Sequence, residues 1–157
     1  MTENAERRTL LLTGASRGIG HATVKRFSSA GWRVISCSRQ PFPEDCPWEA
    51  GEEDHIQVDL SDPHSTIAAV DEIRSRLPDG RLHALVNNAG ISPKGEEGGR
   101  LNTIDTDLRT WGRVFHVNFF ASVVLARGLF QELKATTGAI VNVTSIAGAR
   151  VHPFAGA

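Results

Sequence analysis

The feature that most constrains this chain is a glycine-rich turn, TGASRGIG, at residues 13–20. The apolar run Thr9–Thr13 leads into it and is typical of a strand buried on both faces of a parallel sheet. Gly31 supplies the stop of a helix that follows the turn. Apolar residues close to helical spacing in this helix are Ile19, Ala22, Phe27 and Ala30. A strand, a glycine turn and a helix in this order bring unpaired N–H groups and the positive helix end to one point, which predicts a phosphate site. An ordinary strand-to-helix turn is the alternative.

Three glycines of the turn have separate physical reasons. Gly14 can take backbone angles that a side chain forbids, Gly18 lets the main chain approach a phosphate, and Gly20 allows the helix to pack closely on the strand. Their spacing is G-x-x-x-G-x-G, so the general dinucleotide fingerprint G-x-G-x-x-G applies only by analogy. The residues predicted to form the phosphate site are Gly14, Ser16, Arg17, Gly18, Ile19 and Gly20.

Composition and charge argue against several classes of protein. Hydrophobic residues make up 40% of the 157 residues and charged residues 22%, as in an ordinary globular domain. A formal net charge of -1, with scattered basic residues, gives no electrostatic case for nucleic acid. The sequence shows no membrane-spanning run and no signal peptide, so we expect a cytoplasmic protein without a membrane partner. Histidine and cysteine spacings predict neither a metal nor a disulfide, and Cys37 is expected to be a small core residue.

The end of the second predicted strand, residues 32–39, indicates which cofactor the site prefers. In a dinucleotide fold an acidic residue at this point binds the ribose hydroxyls, whereas an arginine accommodates a 2′-phosphate. Here the strand ends in Ser38 and Arg39, and Arg17 in the turn adds a second positive charge. NADP is therefore favoured over NAD. The alternative is that both arginines are simply solvated, as surface arginines commonly are.

Three further strands are predicted, at residues 55–59, 82–86 and 139–143, and they alternate with helices along the chain. Five strands connected in this way predict an α/β fold with a doubly wound parallel sheet and helices on both faces, in three αβα layers. The segments 40–54 and 91–104 are expected to be irregular, the second as a mobile loop over the site.

Two helices have clear signals after the third strand. Asp62 and Pro63 form an N-cap followed by proline at the first helical position. The buried stripe of this helix is expected at Ile67, Val70, Ile73 and Leu77. A longer helix is predicted from Asp105 or Asp107 to Leu133. Asn118 is expected on the same side of it as Trp111, Phe115 and Leu125.

Polar residues follow the carboxyl ends of several strands, where ligands bind in open α/β sheets. Asp59 could accept a hydrogen bond from an adenine amino group or only cap its loop. Asn87 and Asn88 could bridge neighbouring strand ends or form an ordinary turn. Ser145 could hydrogen-bond a substrate oxygen or cap the next turn, and Asn118 could be a satisfied core amide or part of a functional network.

The glycine turn, the Asn87–Gly90 segment NNAG, Asn118 and Ser145, in this order, resemble the short-chain dehydrogenase/reductase family. The resemblance implies a Rossmann-like NAD(P)-binding domain over residues 9–157, incomplete at its C-terminus, after a polar tail at 1–8. It also implies that Asn118 is the catalytic asparagine and that Ser145 orients a substrate carbonyl or hydroxyl. The cofactor contacts beyond the turn would be Ser38, Arg39, Asp59, Leu60, Asn88, Ala89 and Gly90.

One part of the family pattern is missing from this sequence. The family's chemistry also uses a Tyr-x-x-x-Lys pair, but the chain contains no tyrosine, and by resemblance that residue would follow Ala157 directly. Ser145 and Asn118 cannot replace that proton donor. The resemblance therefore implies a parent protein that is an NADP-dependent oxidoreductase of carbonyl or alcohol substrates, usually a homo-oligomer, while this chain alone is inactive and leaves its fifth strand as an apolar edge. A noncatalytic nucleotide-binding or sensor module is the alternative.

Overall fold

The structure is a computed structural model that describes residues 7–42, 51–77, 79–95, 98–99 and 101–146. The strands are β1 (Thr9–Thr13), β2 (Arg33–Ser38), β3 (His55–Gln57), β4 (Ala84–Asn87) and β5 (Ala139–Asn142). The helices are α1 (Gly18–Ser29), α2 (Pro63–Ser75), α3 (Leu108–Phe115), α4 (Ala121–Gly128) and α5 (Phe130–Lys134). A 3-10 turn, Glu52–Asp54, precedes β3, and a π-helical turn, His116–Phe120, joins α3 to α4. Most of the predicted tail, much of the predicted 40–54 loop and part of the 91–104 loop lie outside the described residues.

The five strands form one parallel sheet in the order β3-β2-β1-β4-β5. Successive strands extend the sheet from β1 to one side, and the chain then crosses to the other side of β1 to place β4 and β5. The switch point therefore lies between β1 and β4, which is where open α/β sheets bind ligands. This arrangement confirms the predicted α/β doubly wound fold.

Alternate residues of the central strand supply the cores of the two faces. Leu10 and Leu12 belong to a cluster with Val24 of α1, whereas Leu11 belongs to a cluster with residues of α2 and α4, including Leu125. All three β1 leucines are fully buried. Since burial of one such side chain stabilises a fold by roughly 1.5–3 kcal/mol, β1 anchors both layers of helices.

The apolar patterns predicted the first two helices but not every inward-facing residue. In α1, Ile19 and Ala22 are exposed, and Gly20 and Val24 are buried instead. In α2, Val70, Ile73 and Leu77 are buried as expected, but Ile67 is 56% exposed. An inward position of α2 is taken by Thr66, which is fully buried and whose hydroxyl donates to the carbonyl of Asp62 at 2.9 Å. This local bond satisfies the hydroxyl and lets a polar residue occupy the core.

The predicted long helix is interrupted at two places. Its start is confirmed, because the Asp107 side chain accepts a hydrogen bond from the Thr110 amide at 2.8 Å. The π-helical turn at residues 116–120 then changes the spacing between successive side chains, and Leu129 separates α4 from α5. The expectation that Asn118 shares an apolar side with Phe115 and Leu125 was therefore wrong: Leu125 is buried, whereas Asn118 and Phe115 are exposed.

The fifth strand lies at one edge of the described sheet. β5 pairs with β4 through the register Ala84↔Ala139 to Asn87↔Asn142, and all four of its residues are exposed. Ile140 and Val141 are among them, so the described part of the chain has the apolar edge expected from the sequence. No helix among the described residues is long and apolar enough to cross a membrane.

The amino end of α2 provides a test of the local sequence signals. The Asp62 side chain accepts hydrogen bonds from the amides of His64 (3.0 Å) and Ser65 (3.3 Å). We expect Asp62→Ala to lower the free energy of unfolding by about 1 kcal/mol, because two amides lose their partner. Urea denaturation followed by circular dichroism measures the change. Asp71→Ala on the exposed side of α2 is the matched control, and equal effects of the two substitutions would contradict the assignment of Asp62 as the cap.

Candidate functional site

A cavity of about 410 Å³ opens at the carboxyl ends of the strands, beside the switch point between β1 and β4. It brings together most of the residues that the sequence predicted for a cofactor. The predicted residues that line it are Gly14, Ser16, Arg17, Gly18, Ile19, Ser38, Arg39, Asp59, Leu60, Asn88, Ala89 and Gly90. Three others, Gly20, Asn118 and Ser145, are not among its lining residues.

The glycine turn is shaped by close backbone packing. Gly14 has a φ of +72°, and a Cβ at this position would lie 2.8 Å from the Cα of Ala89. A Cβ on Gly20 would lie 2.1 Å from the carbonyl oxygen of Gly14. The absence of a side chain at Gly20 therefore lets α1 pack closely against the turn. Gly18 has a φ of +57° and open space on its Cβ side. The backbone of the turn is therefore closely packed at Gly14 and Gly20, and it leaves open space at Gly18.

The amino end of α1 offers backbone donors to this cavity. Arg17 is the N-cap residue in an extended conformation, and its side chain makes no capping hydrogen bond. The amides of the first turn therefore lack the side-chain partner that usually satisfies them. Together with the positive end of the helix dipole they suit an anionic group, and the arginine side chain adds a charge at the same place.

The threonine that ends β1 ties the turn to the end of β4. The hydroxyl of Thr13 accepts hydrogen bonds from the amides of Asn88 (3.1 Å) and Ala89 (3.0 Å). In return, the Asn88 side-chain amide donates to the carbonyls of Thr13 and Gly14, both at 3.0 Å. We call these four bonds the Thr13–Asn88 bridge. Thr13 was not predicted to contact β4, because an apolar strand with a terminal threonine gives no local sign of a partner 75 residues away.

The first asparagine of the NNAG segment has a different partner. The side-chain amide of Asn87 donates to Oδ1 of Asn142 at 2.9 Å, across the β4–β5 pair. The two adjacent asparagines thus join β4 to β1 on one side and to β5 on the other. This confirms the prediction that they bridge neighbouring strand ends.

Asp59 follows β3 at one end of the cavity. Its Oδ1 accepts hydrogen bonds from the amide (2.9 Å) and the hydroxyl (2.8 Å) of Ser61. These bonds hold the pKa of the Asp59 carboxyl below its usual range, so the group is ionised at neutral pH. The loop-capping role that the sequence left open is therefore present, and Oδ2 has no hydrogen bond within the described part of the chain. Asp59 can therefore cap its loop through Oδ1 and still offer Oδ2 as an acceptor toward the cavity.

The end of β2 forms the neighbouring wall. The hydroxyl of Ser38 donates to the carbonyl of Gln40 at 3.0 Å, which holds the turn after the strand. Arg39 is exposed and borders the cavity, as does Arg17. Cys37 behind them is 1% exposed, which confirms it as a core residue, and burial raises the pKa of its thiol to about 12. The thiol is thus protonated and unreactive at neutral pH. Cys46 lies outside the described residues.

The sequence model of the family described as short chain dehydrogenase matches residues 8–157. The chain belongs to this family. It is 61% identical over 155 residues to Protein FixR of Bradyrhizobium diazoefficiens, covering 98% of this chain and 56% of FixR. An NADPH-dependent 1-acyldihydroxyacetone phosphate reductase of Schizosaccharomyces pombe is 31% identical over 138 residues, covering 87% of this chain and 44% of that protein. The chain thus spans about half the length of these curated relatives.

Solved structures that are similar to this chain share its fold. A crystal structure of a short chain dehydrogenase/reductase family oxidoreductase from Brucella ovis, in complex with a partially ordered NAD, is 69% identical with a TM-score of 0.91. That comparison covers 96% of this chain and 69% of the other. A structure of ElxO with NADP bound is 25% identical with a TM-score of 0.75, covering 95% of this chain and 60% of the other. Structures similar to this chain therefore include complexes with either nicotinamide dinucleotide.

The two predicted catalytic residues, Asn118 and Ser145, are near residues that line the cavity. Asn118 uses both ends of its amide on one residue: Nδ2 donates to the carbonyl of Ile91 at 2.9 Å, and Oδ1 accepts from the amide of Ile91 at 2.8 Å. It thereby fixes the chain directly after Gly90. Ser145 is exposed just beyond β5, and the cavity reaches this segment at Val143.

Several lining residues were missed by the sequence analysis. They are Cys37, Val58, Ser61, Ile91, Arg113, Val117 and Val143. Val58 and Ser61 could have been predicted from their position directly after β3, because they flank the predicted Asp59 and Leu60. Arg113 and Val117 lie on the distant α3 and the π-helical turn, and nothing in their local sequence indicates a site. Among the described residues, no group of three His, Cys, Asp or Glu side chains could hold a metal ion.

The Thr13–Asn88 bridge can be tested by removing one hydroxyl. Thr13 is 2% exposed, so Thr13→Val would leave the half-buried amides of Asn88 and Ala89 without their acceptor. We expect a loss of about 1–3 kcal/mol in the free energy of unfolding, measured by urea denaturation. Thr13→Ser keeps the acceptor and should lose much less. If valine and serine are equally destabilising, the hydroxyl is not what holds β4 to the turn.

Proposed function

We propose that the protein to which this chain belongs is a nicotinamide-dependent oxidoreductase of a carbonyl or alcohol substrate, and that the chain supplies its dinucleotide site. The observation that carries the proposal is the cavity at the switch point, in which the open glycine turn, the Asp59 end and the NNAG backbone face one space. Fold and family alone would not locate a site, but these lining groups match the parts of a dinucleotide.

Each region of the cavity suits one part of that ligand. The first-turn amides of α1 would hold the pyrophosphate, and the open side of Gly18 leaves room for it. Asp59 would accept a hydrogen bond from the adenine amino group, with Leu60 beside it. The Asn88–Gly90 backbone would border the remaining half of the ligand. When bound, the nicotinamide supplies or accepts the hydride of the reaction.

The chain also supplies two proposed catalytic groups. Ser145 would hydrogen-bond the substrate oxygen and orient it, and Asn118 would hold the Ile91 backbone and so the chain after Gly90. The proton donor is proposed to be a tyrosine of the longer protein, since these 157 residues contain none. The same observation favours a second candidate, a noncatalytic nucleotide-binding or sensor module that uses the same cavity.

A turnover assay distinguishes cofactor binding from catalysis. We expect the purified 157-residue chain to bind NADPH, measured by quenching of its tryptophan fluorescence, but to oxidise none of it in the presence of carbonyl substrates. A proton donor is lacking, and no other described group near the cavity replaces it. Cofactor-dependent carbonyl reduction by this chain would contradict the expectation. The longer protein serves as the comparison: activity there supports the oxidoreductase, and binding without activity supports the sensor.

The preferred cofactor is proposed to be NADP. Two arginines, Arg17 and Arg39, border the cavity near the end of β2, where Ser38 stands in place of an acidic residue. A 2′-phosphate would gain charge-assisted hydrogen bonds from these guanidinium groups. The Brucella ovis neighbour was solved with NAD. Both cofactors therefore belong in the test.

A titration of the purified chain with NADPH and NADH measures this preference. We expect NADPH to bind at least about tenfold more tightly, equivalent to ~1.4 kcal/mol. Ser38→Asp should reverse the order, because a carboxylate would accept the ribose hydroxyls and repel the 2′-phosphate. Ser75→Asp, at the exposed end of α2, adds the same charge away from the cavity and should leave the ratio unchanged. Equal affinities in the unmodified chain would remove the proposed preference.

Oligomeric state and location are also proposals. Phe115, Phe119 and Phe120 form part of an exposed apolar surface on α3 and the π-helical turn, which supports a homo-oligomer in the longer protein. A cytoplasmic location rests on the sequence features given above.

A further inference from the structure

One arginine of α3 borders the proposed cofactor cavity although the sequence gave no reason to expect it there. Arg113 lies in the last turn of α3 and lines the same cavity as Asp59. Its side chain is exposed, and within the described residues it takes part in none of the ion pairs, which join Arg33, Arg74 and Arg76 to carboxylates. Its guanidinium is therefore available to a ligand.

Helical spacing explains why Arg113 reaches the cavity. Val117 follows four residues later and also lines it, so the two side chains lie on the same side of this helical segment. Val117 is 7% exposed and forms part of the apolar wall, whereas Arg113 stands at its rim. The arginine thus borders an apolar wall with its charged end near solvent.

The part of the cavity wall that follows β3 has the composition of a site for a flat apolar ring. Val58 and Leu60 are both buried residues that line the cavity, and Asp59 between them is exposed at the same end. Hydrogen bonds from Ser61 are the main cause of the lowered pKa of the Asp59 carboxyl, and the charges of Arg39 and Arg113 act in the same direction. Apolar walls with a carboxylate at one edge and a planar guanidinium at another suit an aromatic base with an amino group.

We propose that Arg113 is a further binding residue of this site, and that its guanidinium stacks on the adenine ring of the dinucleotide from the α3 side while Asp59 accepts from the amino group. The inference rests on the proposed dinucleotide function. Arg17 and Arg39 border the glycine turn and the end of β2, where a 2′-phosphate would lie. Arg113 lies on α3 and has a different proposed role. It therefore strengthens binding of adenine nucleotides with or without that phosphate.

Ligands that contain only one half of the dinucleotide distinguish stacking on the adenine base from a phosphate contact or a general loss of binding. The dissociation constants of NADH, NADPH, AMP and nicotinamide mononucleotide are measured by calorimetry for the unmodified chain and for Arg113→Gln. We expect NADH, NADPH and AMP each to bind roughly three- to thirtyfold more weakly, as for loss of one cation–π contact. Nicotinamide mononucleotide, which has no adenine, should be unaffected. Arg113→Lys keeps the positive charge but removes the planar guanidinium group, so it should show an intermediate loss of affinity.

Arg109→Gln is the matched control, because Arg109 is exposed on the same helix but does not line the cavity. It should change none of the four constants, and thermal unfolding should show that both glutamine variants are folded. A loss confined to NADPH would overturn the inference in favour of a phosphate contact, and unchanged binding or an equal loss for all four ligands would also overturn it. These outcomes leave the proposed function standing. If the unmodified chain binds neither dinucleotide, the proposed function fails as well.

Discussion

The geometry of the candidate site depends on the Thr13–Asn88 bridge. A parallel sheet places the ends of β1 and β4 side by side, but ladder hydrogen bonds alone do not determine how the chain leaves each strand. Here one buried hydroxyl accepts two amides, and one side-chain amide donates to two carbonyls. Gly14 permits this approach because a Cβ there would collide with Ala89. The glycine turn and the NNAG backbone are therefore held as one unit.

A second set of bonds extends this unit to the helical layer. Asn118 holds both backbone groups of Ile91, and it does so from a π-helical turn. A helix that widens by one residue per turn can present a side chain at a position that regular spacing would not reach, and such turns are frequent at functional sites. The chain after Gly90 is consequently attached to the helix as well as to the sheet.

Charge is distributed unequally around the cavity that these bonds shape. Arg17, Arg39 and Arg113 border it, and Asp59 is the acidic residue among its lining side chains. The excess of positive charge favours an anionic ligand, and the helix end of α1 acts in the same direction. Because Asp59 is held ionised by Ser61, it keeps one end of the cavity suited to a hydrogen-bond donor.

Local chemistry in the sequence determined the helices, the strands and the glycine turn. The strand, the glycines with positive φ at positions 14 and 18, and the Asp62 cap depend on neighbouring residues only, so they could be predicted without the fold. The NNAG segment was recognised by its resemblance to a family motif, and its residues Asn88, Ala89 and Gly90 line the cavity.

Only the tertiary structure decided which distant residues meet. Thr13 and Asn88 are 75 residues apart, and neither carries a local sign of the other. The π-helical turn, the exposure of Ile67 and the position of Arg113 likewise depend on how helices settle on the sheet. Sequence periodicity reports the average direction of a side chain, whereas packing selects one rotation and one register for each helix. For that reason the turn was predictable, while the bonds that hold it and the position of Arg113 at the cavity were not.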